Sequence, residues 1–228
     1  MSAPARTPFL LAALLTLPVT LVAQDTTLAA APDTTARSWT LEPSLLGILY
    51  TDTIALWNPA FTADHGNLHL EARYQWEDWR TASIWAGRWF SFGNALHVDV
   101  APMAGVAFGY TTGVAPGLLV EATWKSLSFY SSSEHLFDLE DQASSFTYTW
   151  SEIAVDLDHL LVGIVAQRTR TFDTELDLQR GFLLQREQGS FLFGMYLFNI
   201  GWTDPTVAFT ASYSFDVKRR RSAQQPNP

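Results

Sequence analysis

From Leu68 onward apolar and polar residues alternate, and that period of two decides most of what the chain can become. Leu68, Leu70, Ala72, Tyr74 and Trp76 fall on one side of an extended chain, and His69, Glu71, Arg73 and Gln75 on the other. Leu96, Val98, Val100, Pro102, Ala104, Val106 and Phe108 oppose His97, Asp99, Ala101 and Met103. Leu118, Val120, Ala122 and Trp124 oppose Leu119, Glu121, Thr123 and Lys125. Near the end, Val207, Phe209, Ala211, Tyr213 and Phe215 oppose Ala208, Thr210, Ser212 and Ser214. Ten such segments span 67–77, 81–92, 95–109, 115–125, 127–139, 145–156, 159–171, 175–187, 190–200 and 206–217.

After residue 23 no uninterrupted apolar run reaches the length of a spanning helix. If the mature chain lies in a membrane it must do so as a closed barrel, because only helices and barrels satisfy every backbone group in lipid. The connections alternate as well. Tight ones fall near Gly93-Asn94, Lys125-Ser126, Asp158 and Gln188-Gly189, and longer ones at 77–80, 110–114, 140–144, 172–174 and 201–205. Short turns on one rim and longer loops on the other belong to outer-membrane barrels. The fold class expected is therefore all-β: an antiparallel up-and-down transmembrane β-barrel of about ten strands, with eight or twelve as alternatives.

Aromatic residues toward segment ends (Trp76, Trp79, Phe92, Phe108, Tyr110, Trp124, Phe137, Phe146, Trp202) suit interfacial girdles. A soluble barrel or sandwich with its apolar face inward satisfies the same alternation. Its ligand would be apolar.

Three segments disturb the pattern. Trp85 and Trp89 oppose Ile84, Ala86 and Arg88, so both faces are partly apolar. Phe146, Tyr148 and Trp150 give way to Ile153 and Val155, which a bulge at Ser151-Glu152 would repair. Arg180 falls among Leu176, Leu178, Phe182 and Leu184, where a midplane arginine facing lipid would cost about 2–4 kcal/mol.

The ends read as separate pieces. Arg6, the apolar run Phe9–Val22 and Ala23 form a signal peptide over 1–23. Residues 24–62 are expected as a periplasmic leader or plug segment. Within them 24–38 is an unpatterned stretch, while 39–62 reads equally as a short helix, a plug or two irregular strands, with Trp57-Asn58-Pro59 as a turn signal. Residues 63–217 form the barrel and 218–228 a basic flexible tail.

At this point the chain resembles the small bacterial outer-membrane β-barrel proteins as a class, over about 67–217. The resemblance is carried by the alternation, the turn rhythm and the terminal strand Val207-Ala-Phe-Thr-Ala-Ser-Tyr-Ser-Phe215. It implies export to the cell outer membrane, contact with outer-membrane lipid and lipopolysaccharide, and insertion by the barrel-assembly machinery. A monomer is expected. Members of the class commonly stop at the terminal aromatic residue, whereas this chain continues to Pro228.

Candidate chemistry follows from which face looks inward. His69, Glu71, Arg73, Arg88, His97, Asp99, Glu121, Glu134 and Asp177 form an expected lumen network, either a narrow polar conduit or small-solute site, or a salt-bridged plug. Ser133 and His135 share a strand face and are the weak candidates for a lipid hydrolase or acyltransferase, although triads are recognised by geometry and not by spacing. Arg168 and Arg170 continue an outward phase toward a longer loop, where arginine forks suit lipopolysaccharide phosphates.

The absence of cysteine removes disulfides and thiolate sites, and the scattered histidines lack ligand spacing, so neither metal nor cofactor is expected. A formal net charge of −9 excludes a general nucleic-acid binder. The functions left open are a structural, narrow-pore or small-solute-binding barrel, a lipid-modifying barrel enzyme and a soluble ligand-binding barrel.

Overall fold

The computed structural model describes residues 38–50, 56–171, 177–201 and 205–217. The expected signal peptide and leader up to residue 37, the expected loop at 172–174, Trp202 and the expected tail from residue 218 lie outside the described residues, as do the side chains of Arg170 and Asp177.

Among the described residues the strands are β1 (Trp39–Tyr50), β2 (Leu56–His65), β3 (Leu68–Tyr74), β4 (Thr81–Arg88), β5 (Phe90–Phe92), β6 (Leu96–Gly109) and β7 (Gly113–Trp124). They continue as β8 (Leu127–Asp138), β9 (Phe146–Asp156), β10 (Leu160–Thr171), β11 (Asp177–Gln188), β12 (Phe191–Phe198), β13 (Thr206–Tyr213) and β14 (Phe215–Val217). Each pairs antiparallel with its neighbours, and β1 pairs with both β2 and β13, so the sheet closes on itself.

Four of the fourteen are halves of two interrupted strands. β4 and β5 hold one register on β6, with Gly87 opposite Met103 and Phe90 opposite Val100. They part where Arg88 faces Pro102. β13 and β14 hold one register on β1, with Ser212 opposite Ser44 and Phe215 opposite Leu41. They part where Tyr213 faces Pro43. A proline has no N–H to give the ladder, so each break marks a missing donor and not a change of path. The barrel is twelve-stranded.

All ten segments expected from alternation are strands, and the count rises to twelve because the barrel begins at Trp39 and not near residue 63. The segment 39–62, grouped with the leader or plug and left open between a short helix, a plug and two irregular strands, supplies two strands, β1 and most of β2. Its period was hidden because apolar residues sit on both faces. Leu45 and Leu49 face outward, and Leu46 packs inward against Trp150 and Tyr196. The Trp57-Asn58-Pro59 turn signal lies inside β2. There Trp57 covers its register partner Gly47 on the outer wall, and a Cβ at Gly47 would meet its ring at 2.9 Å.

The outer wall is an apolar belt. Leu45, Ile84, Val106, Leu118, Ile153, Ile164 and Phe209 are all exposed on it. Exposed rings border it at both ends, with Trp57, Trp79, Phe108, Tyr110 and Phe137 toward the long loops and Phe92, Trp124, Phe191, Tyr213 and Phe215 toward the short turns. Trp76 and Phe146 depart from the expected girdle. Gln75 adopts φ 60°, which ends the alternation of β3 and turns Trp76 toward the lumen. Phe146 packs against the cluster around Trp85.

Two further expectations are corrected. β9 keeps an unbroken register with β8 and β10, so there is no bulge at Ser151-Glu152. Tyr148, Trp150 and Glu152 all line the lumen, and Ser151 and Ile153 face out. β11 likewise keeps its register on β10, so Arg180 is an outward residue in phase with Leu178 and Phe182. Its backbone carbonyl accepts from Asn199 N–H at 2.9 Å, just beyond the end of β12. That places it near the long-loop rim, where the midplane penalty fades.

Candidate functional site

The lumen is built around Trp85. Its ring is fully buried and lies against Gly105 and Gly117, where a Cβ would come within 2.4 Å and 2.8 Å of ring atoms. Only glycine leaves the wall flat enough there. Gly105→Leu is expected to push Trp85 off the wall and destabilise the barrel by about 1–3 kcal/mol, measured as a lowered urea midpoint of unfolding from detergent micelles.

Trp85 Nε1 donates to Ser83 Oγ at 3.0 Å and to Glu77 Oε1 at 3.1 Å, and Ser83 Oγ donates to the same oxygen at 2.6 Å. The Arg73 guanidinium stacks over the indole, 4.8 Å from the ring centroid. It donates to Glu71, to Glu134 Oε2 at 2.8 Å, and stands 3.6 Å from Glu77. One cation therefore gathers three carboxylates from β3, β8 and the loop after β3. A buried charge of this kind is tolerable only with partners.

Both ring nitrogens of His69 lie 2.7 Å from carboxylate oxygens, of Asp64 and Glu71. Asp64 also accepts from Trp89 Nε1 at 3.0 Å. Across the lumen, Glu152 accepts from Trp150 Nε1 at 2.7 Å, Tyr196 Oη at 2.9 Å and Gln185 Nε2 at 3.2 Å.

Of the expected network, His69, Glu71, Arg73 and Glu134 meet in one cluster. Glu121 lines the lumen toward the short turns. His97 and Asp99 form a separate pair at 3.0 Å, with His97 half-exposed at that end. Arg88 is corrected: it is exposed on the outer wall, its guanidinium 5.7 Å from the Phe90 ring centroid. Trp85 and Trp89 take the inward phase of that strand, which forces Arg88 out. Asp64, Glu77 and Glu152 were not anticipated. Asp64 lies between the segment 39–62 and the first alternating segment at 67, Glu77 in a loop, and Glu152 at the supposed bulge.

Ser133 and His135 lie on the outer wall of β8. His135 Nδ1 is 2.7 Å from Thr147 Oγ1 and its ring packs edge-on against Phe137. Neither a serine nor a carboxylate is among those contacts. Arg168 is exposed on the outer wall of β10, as its phase implied.

Three cavities follow one another inside the barrel. A mouth of about 540 Å³ at the long-loop end is walled by Glu77, Asp78, Asp138, Glu140 and Asp141. A waist of about 230 Å³ is walled by Arg73, Glu134, Trp150 and Ser132. A chamber of about 550 Å³ toward the short turns is walled by Asp64, His69, Glu121 and Glu187. Trp76 and Tyr148 border both mouth and waist, and Glu42, Glu71, Tyr130 and Glu152 border both waist and chamber. Among the described residues lining the three, there are twelve carboxylates and a single arginine, Arg73.

No family model and no curated protein matches the chain. Solved structures do. The KdgM porin is 12% identical with a TM-score of 0.56, over 76% of this chain and 99% of that one, and KdgM porin in complex with disordered oligogalacturonate gives the same values. Acinetobacter baumannii OccAB4 is 9% identical, with a TM-score of 0.44 over 76% of this chain and 57% of that one. The KdgM likeness is one of fold: this chain is a closed antiparallel barrel of twelve strands, with an apolar outer belt between two ring-bordered rims.

Proposed function

We propose that the chain is an exported outer-membrane channel whose narrow, water-filled lumen favours small cations over anions. The observation that carries this is the lumen charge, twelve carboxylates against one arginine along three cavities that share walls. Acidic rings in a low-dielectric tube concentrate cations and repel anions. Arg73 is already engaged by Glu71, Glu77 and Glu134, and His69 by Asp64 and Glu71, so the two together leave most of that charge uncompensated.

The oligogalacturonate named with the KdgM structure is a polyanion, and an acid-lined lumen disfavours such a ligand. The fold likeness therefore does not carry that substrate to this chain.

Planar-bilayer recording across a potassium chloride gradient tests the reading. The reversal potential is expected close to the potassium equilibrium potential, with a small unit conductance set by the waist. Glu42→Gln with Glu152→Gln removes two carboxylates bordering both waist and chamber, and is expected to move the reversal potential toward zero. Anion preference, or a closed barrel without conductance, overturns the proposal.

A further inference from the structure

The outer wall of β8–β11 differs from the rest of the belt. Across those four strands Phe129, Ile153, Ile164 and Phe182 form one register row. The next row toward the long loops is Ser131, Ser151, Ala166 and Arg180, and the next Ser133, Thr149, Arg168 and Leu178. On adjacent β7 the same heights carry Ala122, Val120 and Leu118. Among the described residues the belt thus turns polar in its long-loop half at β8 and stays so across β8–β11.

Small side chains at Ser151 and Ala166, set above large ones, hollow the wall. The result is a groove of about 510 Å³ whose sides are Phe129, Ile153, Ile164, Phe182 and Ile200, with Arg180 at its long-loop end. Ile153, Ile164, Phe182 and Ile200 are all exposed, so the groove opens outward and not into the lumen. Arg168 and Arg180 are diagonal neighbours on β10 and β11, since Arg168 faces Leu178 and Ala166 faces Arg180. Diagonal partners lie about 7–8 Å apart, within reach of two arginines sharing one anion.

We propose that this sector binds a phosphate-bearing lipid from the leaflet at the long-loop rim. The phosphate sits between Arg168 and Arg180, headgroup hydroxyls meet the Ser133–Thr149 band, and an acyl chain lies in the groove over Ile153 and Ile164. A guanidinium pair matches phosphate oxygens by charge and fork geometry. The long-loop rim is the external one in barrels of this type, so the leaflet concerned is the outer one. A second copy of the chain fits less well, because a twofold contact on this face would set the arginines of the two copies against each other.

Native mass spectrometry of the detergent-purified barrel tests the site, with diphosphorylated lipid A, its dephosphorylated form and phosphatidylglycerol added in turn. Wild type is expected to retain diphosphorylated lipid A, with at least about tenfold less retained by Arg168→Gln/Arg180→Gln. Dephosphorylated lipid A on wild type should fall by a similar factor, which reads the phosphate without any substitution. Ala166→Trp fills the groove with both arginines intact and is expected to weaken retention too, while Arg88→Gln, outward but elsewhere, leaves it unchanged. Arginine-dependent retention of phosphatidylglycerol as strong as that of lipid A supports the site and identifies the glycerophospholipid as a source; weaker retention identifies the glycolipid. Equal retention by wild type and the double variant, or a dimer that the double variant dissociates, overturns the proposal.

Discussion

Trp85→Ala is expected to destabilise the folded barrel by about 3–5 kcal/mol, the range for deleting a fully buried large side chain. The indole rests on Gly105 and Gly117, which have no side chains with which to close the space it leaves. It also donates to Glu77 and Ser83 and carries Arg73 on its face. Alanine therefore removes packing, two hydrogen bonds and the platform that fixes the waist cation. The urea midpoint for unfolding from micelles should drop with little change of slope, since the exposed surface changes little. The same substitution widens the waist, so surviving channels should conduct more. A variant with wild-type stability and conductance would show that the Trp85 platform does not set the lumen.

Trp85 also shows how far the sequence could be read. Wherever one face was apolar and the other polar, alternation placed the strands, and it put Glu71, Arg73 and Glu134 on the inner face. The ambiguity of segment 81–92 arises because a packed lumen puts rings on the inner face as well. Trp85 looks inward for want of a side chain at Gly105 and Gly117, and that vacancy comes from strands distant in sequence. The same cause hid β1, whose Leu46 faces inner-wall rings and not water. It also produced the supposed bulge at Ser151-Glu152, because Tyr148 and Trp150 were assigned to lipid when they share the lumen with Glu152. The charge balance was only half legible. Bases and acids can be sorted by phase within the alternating segments, but Arg88 leaves the lumen with its strand, and Asp64, Glu77 and Glu152 enter from a connection before residue 67, a loop and the supposed bulge.

Arg73 is where the charge of the lumen and the stability of the wall meet, and the two readouts should move in opposite directions on its removal. Arg73→Gln leaves Glu71, Glu77 and Glu134 close together without their cation. Breaking a buried pair from one side costs about 3–5 kcal/mol, and water entering the waist would place the value toward the lower end. Stability should therefore fall, while cation preference rises because an internal positive charge has gone. Adding Glu134→Gln removes one of the stranded carboxylates. The double variant is expected to regain about 1–2 kcal/mol over Arg73→Gln, a coupling that contacting residues show and distant ones do not. Urea titration of the four proteins gives that coupling, and bilayer recordings give selectivity on the same samples. Additive stabilities would mean that Arg73 and Glu134 do not act as a pair. A selectivity that stays fixed while stability falls would mean that the cluster props the wall without facing the permeating ions, and would move the selective carboxylates to the mouth and to Glu152.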